Sequence, residues 1–243
     1  MEESKINEIL NSLGFGVPQN LNDLKAFNKT FKSYKFESDP NKIDSYKILH
    51  DLKPKKKATN IDYHKRTVLA AEIVYQLHRE NTLGHLKLQK LLYLCQNSAR
   101  IDIHTNFLKQ AMGPYDNLLM RSIDKKFKEN KWFSYNPGEY EKYQPLENYG
   151  GHKEWYERYF SQQLSEIDFI INKFRKTKTR RIELIATIFA CWKEIIDEKQ
   201  LLTDELLVHK FYLWHPDKSK FNRDEILQTI GFMKNDGFIP RKK

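Results

Sequence analysis

The 243-residue chain is 40% hydrophobic and 30% charged, with 9 Gly and 8 Pro, which excludes collagenous and low-complexity classes and leaves enough apolar mass for a core that needs neither disulfides nor metal. Lysine and arginine outnumber aspartate and glutamate by 42 to 32, giving a net charge of +10. Such a field attracts nucleic acid or an acidic protein without choosing between them.

Residues 1–60 open with an amphipathic stretch, Ile6, Ile9, Leu10 and Leu13, that Gly14 and Gly16 end before Pro18. A second helical piece, NDLKAFNKTFKSY, follows. The stretch from Glu37 to Asn60 has few periodic apolar positions and contains DLKPKKK, so it reads as a connecting arm with a basic tip. From Asp62 the pattern tightens, with Val68, Ala71, Val74, Tyr75 and Leu77 predicting a buried helical stripe that runs to about Glu80. The next helix is HLKLQKLLYLCQNSA. Leu88, Leu91, Leu92 and Cys95 share its apolar face, and Lys87 and Lys90 are expected to emerge on the other. The two helices should pack as a hairpin.

In FLKQAMGPYDN the Gly-Pro pair stops any helix, and Asp116 is placed to cap the next one, which carries Leu119, Ile123 and Phe127 at i, i+4 and i+8. WFSYNPGEYEKYQPLE alternates aromatic and polar residues around NPG and reads as a β-hairpin, the one good strand signal in the chain. A single long helix is predicted from about Lys153 to Phe174, running into KFRKTKTRR. Three further helices follow, near Ile182–Glu198, Asp204–Leu213 and Arg223–Asn235, with Thr203 and Asn222 as N-caps.

The segment KLQKLLYLCQ, followed by AMGPYDNLL, resembles the Panacea antitoxin-like family. The matching positions are Lys87, Leu88, Lys90, Leu91, Leu92 and Tyr93, then Ala111, Met112, Gly113 and Pro114. The likeness covers the stretch from Val68 through the hairpin. Met112 stands where the family often has Trp, and Tyr115 where it often has Val. The resemblance implies a mostly helical, non-enzymatic domain that binds protein partners, in several members a toxin, with Lys87, Lys90, Tyr93, Gly113, Pro114 and Tyr115 as the partner-binding positions. The flanks DYHKRTVLAAEIVYQLH, RIELIATIFACWKEII, LWHPDK and DGFIPR are similar to extensions of specificity-subunit-like proteins in restriction-modification loci.

The expected organisation is therefore mostly α with a small β-hairpin: an N-terminal arm over 1–60, a Panacea-like helical domain over 61–175, and a three-helix, winged-helix-like unit over 176–243 lacking an obvious wing. The expected function is partner binding in bacterial defence, as an antitoxin-type neutraliser or an accessory of a restriction-modification complex. The alternative is a DNA-binding protein. For that reading the candidate residues are Lys173, Arg175, Lys176, Lys178, Arg180 and Arg181, a basic run at a helix end that would clamp phosphates. The same run also suits a helix C-terminus, whose dipole cations stabilise.

No catalytic residue, cofactor or metal is expected. The eight histidines form no metal-ligand pair at helical spacing, and no Gly-rich phosphate loop exists. A remote alternative, a metal-dependent nuclease, rests on Asp116 followed by Glu129-Asn130-Lys131, which all fall along one predicted helix rather than on adjacent strands. Cys95 and Cys191 lie in apolar helical runs and read as buried reduced thiols. No segment has the layout of a secretory leader, and none approaches the roughly 18 apolar residues that cross a bilayer, so a cytoplasmic location is expected. Trp214-His215-Pro216 reads as a turn anchored by a buried Trp.

Overall fold

The computed structural model describes residues 58–241; the expectations for the N-terminal arm fall outside them, apart from its last three residues. From Ala58 onward the chain forms one compact unit. It is mostly helical with two small antiparallel hairpins. In chain order the elements are α1 (Asn60–Leu77), α2 (His85–Ser98), β1 (Leu108–Gln110), β2 (Gly113–Tyr115), α3 (Leu119–Glu129), β3 (Phe133–Tyr135), β4 (Tyr143–Pro145), α4 (Lys153–Phe160), α5 (Leu164–Phe174), α6 (Thr179–Asp197), α7 (Asp204–Leu213), a 3-10 turn (Pro216–Lys220) and α8 (Arg223–Asn235).

α1 starts at a capping box in which the Thr59 hydroxyl accepts from the Asp62 amide and the Asp62 carboxylate accepts from the Thr59 amide at 2.7 Å. Thr203 and Asn222 cap α7 and α8 as their sequence positions predict. α6 ends in a Schellman arrangement, with the Gln200 amide donating to Ile195 and the Lys199 amide to Ile196. The cost is that Lys199 sits at φ 55 without being glycine.

Three helices are enclosed along most of their length: Arg66–Val74 of α1, Lys87–Cys95 of α2 and Ile182–Trp192 of α6 are buried continuously. α2 packs against α1, α5, α6 and β2, so no side of it is left for a polar stripe. α3 and α4 pack on α1, while α7 and α8 pack on α6. The boundary expected at 175/176 lies between α5 and α6, two helices that share one continuous hydrophobic core through Ile171, Phe174, Phe189 and Phe238. The two cysteines are buried and free, and burial raises both thiols above the usual range.

Two expectations need correction. The helix predicted over 153–174 is two helices, because hydrogen bonding tightens at Gln163, whose amide donates to Phe160 rather than to the carbonyl one residue earlier. The Gly-Pro segment, expected as a helix-stopping loop, is the second strand of a hairpin pairing Leu108 with Tyr115 and Gln110 with Gly113. The hairpin around NPG is present, pairing Phe133 with Pro145 and Tyr135 with Tyr143. Among the described residues no helix is long and apolar enough to cross a membrane.

Candidate functional site

The two motif segments meet at the β1–β2 hairpin. Gly113 has φ +86, and a Cβ there would stand 2.5 Å from the Thr187 hydroxyl of α6. Only glycine lets the strand approach α6 so closely in this conformation. Pro114 follows with its ring buried, and its carbonyl accepts a 2.6 Å hydrogen bond from the Lys90 ammonium of α2. One residue along α2, Gln89 pairs twice with the backbone of Asp116: its carbonyl oxygen accepts from the Asp116 amide at 2.9 Å, and its NH2 donates to the Asp116 carbonyl at 3.2 Å. The Asp116 carboxylate accepts from the amides of Leu118 and Leu119, capping α3, and from that of Asn106. On the far side the Trp214 indole donates to the Gln110 carbonyl at 3.0 Å, and the Lys109 ammonium lies 5.2 Å from the Trp214 ring. The hairpin is thus held by side chains from α2, α6 and the end of α7.

Lys87 and Lys90, expected on the polar face, are instead fully buried, because α5, α6 and β2 close over that face of α2. The Lys87 ammonium donates to the Thr82 hydroxyl and to the Arg175 carbonyl at 2.6 Å. Neither lysine has a carboxylate within ion-pair distance among the described residues. Burial pushes Lys87 down to about 8, with the Arg175 charge adding to the effect and Glu80 opposing it. Lys90 falls to about 7, through burial first and then through the charge of Lys218, against the pull of Glu183. Tyr93 is also buried, edge-on to Phe107 and Phe189. Tyr115 is half-buried beneath Lys90. Lys90 is therefore an internal brace of the hairpin, Lys87 ties the α1–α2 loop to the end of α5, and Tyr93 packs in the core, so none of the three is a contact surface.

Beside Lys90 lies a buried charge cluster that the sequence reading missed. Glu183 is 1% exposed and accepts from Lys218 at 2.7 Å and from Lys220 at 3.0 Å. The signal was present: Glu183 is a carboxylate inside the apolar run Ile182–Ala186. Lys218, by contrast, is hidden in the polar stretch PDKSK, where nothing marks it as buried. A second buried carboxylate, Glu72, accepts from His152, Lys153 and Gln76 at 2.8 to 2.9 Å. Burial alone would raise its pKa, but those three donors outweigh burial and hold it below the ordinary range.

Of the six basic-run residues, four are occupied within the fold. Lys173 pairs with Asp236 and lies against Phe169 and Phe232, Arg175 donates to the Gln76 carbonyl, Arg180 forks onto Glu225, and Arg181 donates to Thr229. Lys176 and Lys178 are exposed and have no ion pair among the described residues. The residues of the nuclease alternative are not brought together: Asp116 caps the start of α3, whereas Glu129 pairs with Lys126 at its end, and Lys131 pairs with Glu147 beyond it. Trp214 is buried as a turn anchor, and the His215 ring accepts from the Asp217 amide at the start of the 3-10 turn.

Leu108 on β1 and Met112 in the turn are exposed on the braced hairpin, and Leu118, the N-cap of α3, is 74% exposed. No protein-family model, curated protein or solved structure matches the chain.

Proposed function

We propose that the chain is a non-enzymatic protein-interaction module, of the antitoxin-type or restriction-modification accessory kind that the KLQKLLY and Gly-Pro resemblance implies, and that its contact surface is the β1–β2 hairpin. One observation carries the reading. The buried Lys90 ammonium is spent on the Pro114 carbonyl, and together with Gln89 and Trp214 it fixes a short hairpin that carries exposed Leu108 on β1 and Met112 in its turn, with exposed Leu118 close behind at the N-cap of α3. A rigid element showing large apolar side chains is what a partner's pocket can grip at low entropic cost. Lys87, Lys90 and Tyr93 then act indirectly, as supports.

DNA binding through the basic run draws less support, since four of its six cations already have partners and a phosphate would have to displace them. Affinity purification of the full chain from its own cells, with and without nuclease and high salt, separates the two. A stoichiometric protein that survives both treatments supports the module. Nucleic acid alone, lost with salt, overturns it.

A further inference from the structure

α3 buries Leu119, Met120, Ile123 and Phe127 on one side. Its outer side carries Arg121, Lys125 and Lys128 at i, i+4 and i+7, all exposed. They make a straight row about 10 Å long, parallel to the helix axis. Leu118, the N-cap, stands three residues ahead of Arg121 on the same side. The row therefore begins at the exposed leucine next to the hairpin.

The helix dipole explains only part of this row. Lys126 and Lys128 lie in the last turn, where cations suit the dipole, but Arg121 lies in the first turn, where a cation works against it and no acid offsets it. Arg121 and Lys128 have no ion pair among the described residues, and Lys125, with its side chain 76% exposed, stands 3.8 Å from Glu129. Along α3 four cations face two carboxylates. Both carboxylates have closer partners: Glu129 holds Lys126 at 2.6 Å, and Asp124 holds His85 at 2.8 Å. Just beyond the helix Lys131 and Glu147 cancel each other.

We propose, resting on the reading of the hairpin as a partner surface, that the partner lays an acidic amphipathic helix along α3. An apolar residue of that helix meets Leu118, and its carboxylates meet Arg121, Lys125 and Lys128. Carboxylates at the same helical spacing fall in register with such a row. Confined to one stripe, they also keep clear of Asp124 and Glu129 at its flanks. A nucleic-acid backbone would leave Leu118 without a role and would bring phosphates against both carboxylates.

The test uses the full chain and two labelled helical peptides, each about 20 residues long. One reads Leu, Glu, Glu, Glu at i, i+3, i+7 and i+10 and the other the reverse, which covers both directions in which a helix can lie on α3. Anisotropy should show one of them binding at low salt about tenfold more tightly than a scrambled peptide of the same composition. The combination of Arg121→Gln, Lys125→Gln and Lys128→Gln should weaken that binding about tenfold, as three exposed ion pairs would. Arg121→Lys should keep the affinity, and added salt should remove the difference. Thermal melts check that each variant is folded. The proposal is overturned if neither peptide binds, if the scrambled peptide binds equally, if an oligothymidylate of equal charge displaces the peptide equally well, or if the folded triple variant binds as wild type does. In affinity purification, a partner lost on Leu108→Glu with Met112→Glu but kept by the triple glutamine variant overturns the acidic helix and leaves the hairpin reading standing. A partner kept by the hairpin variant overturns that reading, and this inference with it.

Discussion

Replacing Lys90 by methionine isolates the brace on which the hairpin depends. In the folded chain the ammonium is held at about 7, against about 10.5 in an unfolded chain. Between those values the unfolded state holds the extra proton, so stability rises as pH climbs from about 7 toward 10.5 and is lost as pH falls back. Integrating from about pH 6.5 to about pH 8.5, this one group makes the wild type more stable by about 2 kcal/mol at the upper end. Lys87, held at about 8, adds a smaller gain of the same sign that is common to both proteins. Burial raises the Cys95 and Cys191 thiols, which act in the opposite direction from about pH 8.5 upward and equally in both proteins. Lys90→Met removes the titration and leaves the buried Pro114 carbonyl without its donor, a loss of roughly 1–3 kcal/mol. Methionine also escapes the cost of holding a buried amine. The variant should therefore be nearly as stable as wild type at the lower pH and clearly less stable at the higher one. Urea unfolding of both proteins across this range measures the difference, and parallel pH profiles would refute the placement of Lys90.

Other substitutions probe neighbouring parts of the account. Gly113→Ala places a Cβ 2.5 Å from the Thr187 hydroxyl at φ +86 and should cost roughly 3 kcal/mol in denaturant unfolding; a loss below about 1 kcal/mol would mean the hairpin does not approach α6 as described. Glu183→Gln leaves Lys218 buried without its counter-charge and should destabilise by about 3–5 kcal/mol, whereas Glu183→Gln combined with Lys218→Met should recover much of that loss. Lys199→Gly relieves a left-handed residue at the exposed C-terminus of α6 and should stabilise by about 1 kcal/mol, seen as a higher Tm.

Helix content was readable wherever one stripe of apolar residues had a clean start signal, as in the Thr203 and Asn222 caps and the Leu119, Ile123, Phe127 series. The burial of Lys87 and Lys90 was not readable. A lysine on the back of an apolar helix looks the same in sequence whether solvent or α6 covers it, and what covers it comes from residues far along the chain. The break near Ser161 carries neither Gly nor Pro, so local composition gives no warning of it. The β1–β2 strands are three residues each, too short for a period-two pattern to register, and Lys90 and Trp214 satisfy strand carbonyls from outside while Gln89 holds the backbone of Asp116 just beyond β2. The role of Lys90 and Gln89 as braces thus depended on long-range packing.

The claim that the hairpin is the partner surface is tested most directly by a triple variant, Leu108→Glu, Met112→Glu and Leu118→Glu, taken through the same affinity purification as wild type with retained proteins quantified. All three side chains are exposed, so the melting profile should stay within a few degrees of wild type. The account predicts that the partner retained by wild type is lost from the triple variant and kept by Lys176→Gln with Lys178→Gln. Retention by a folded triple variant would contradict it.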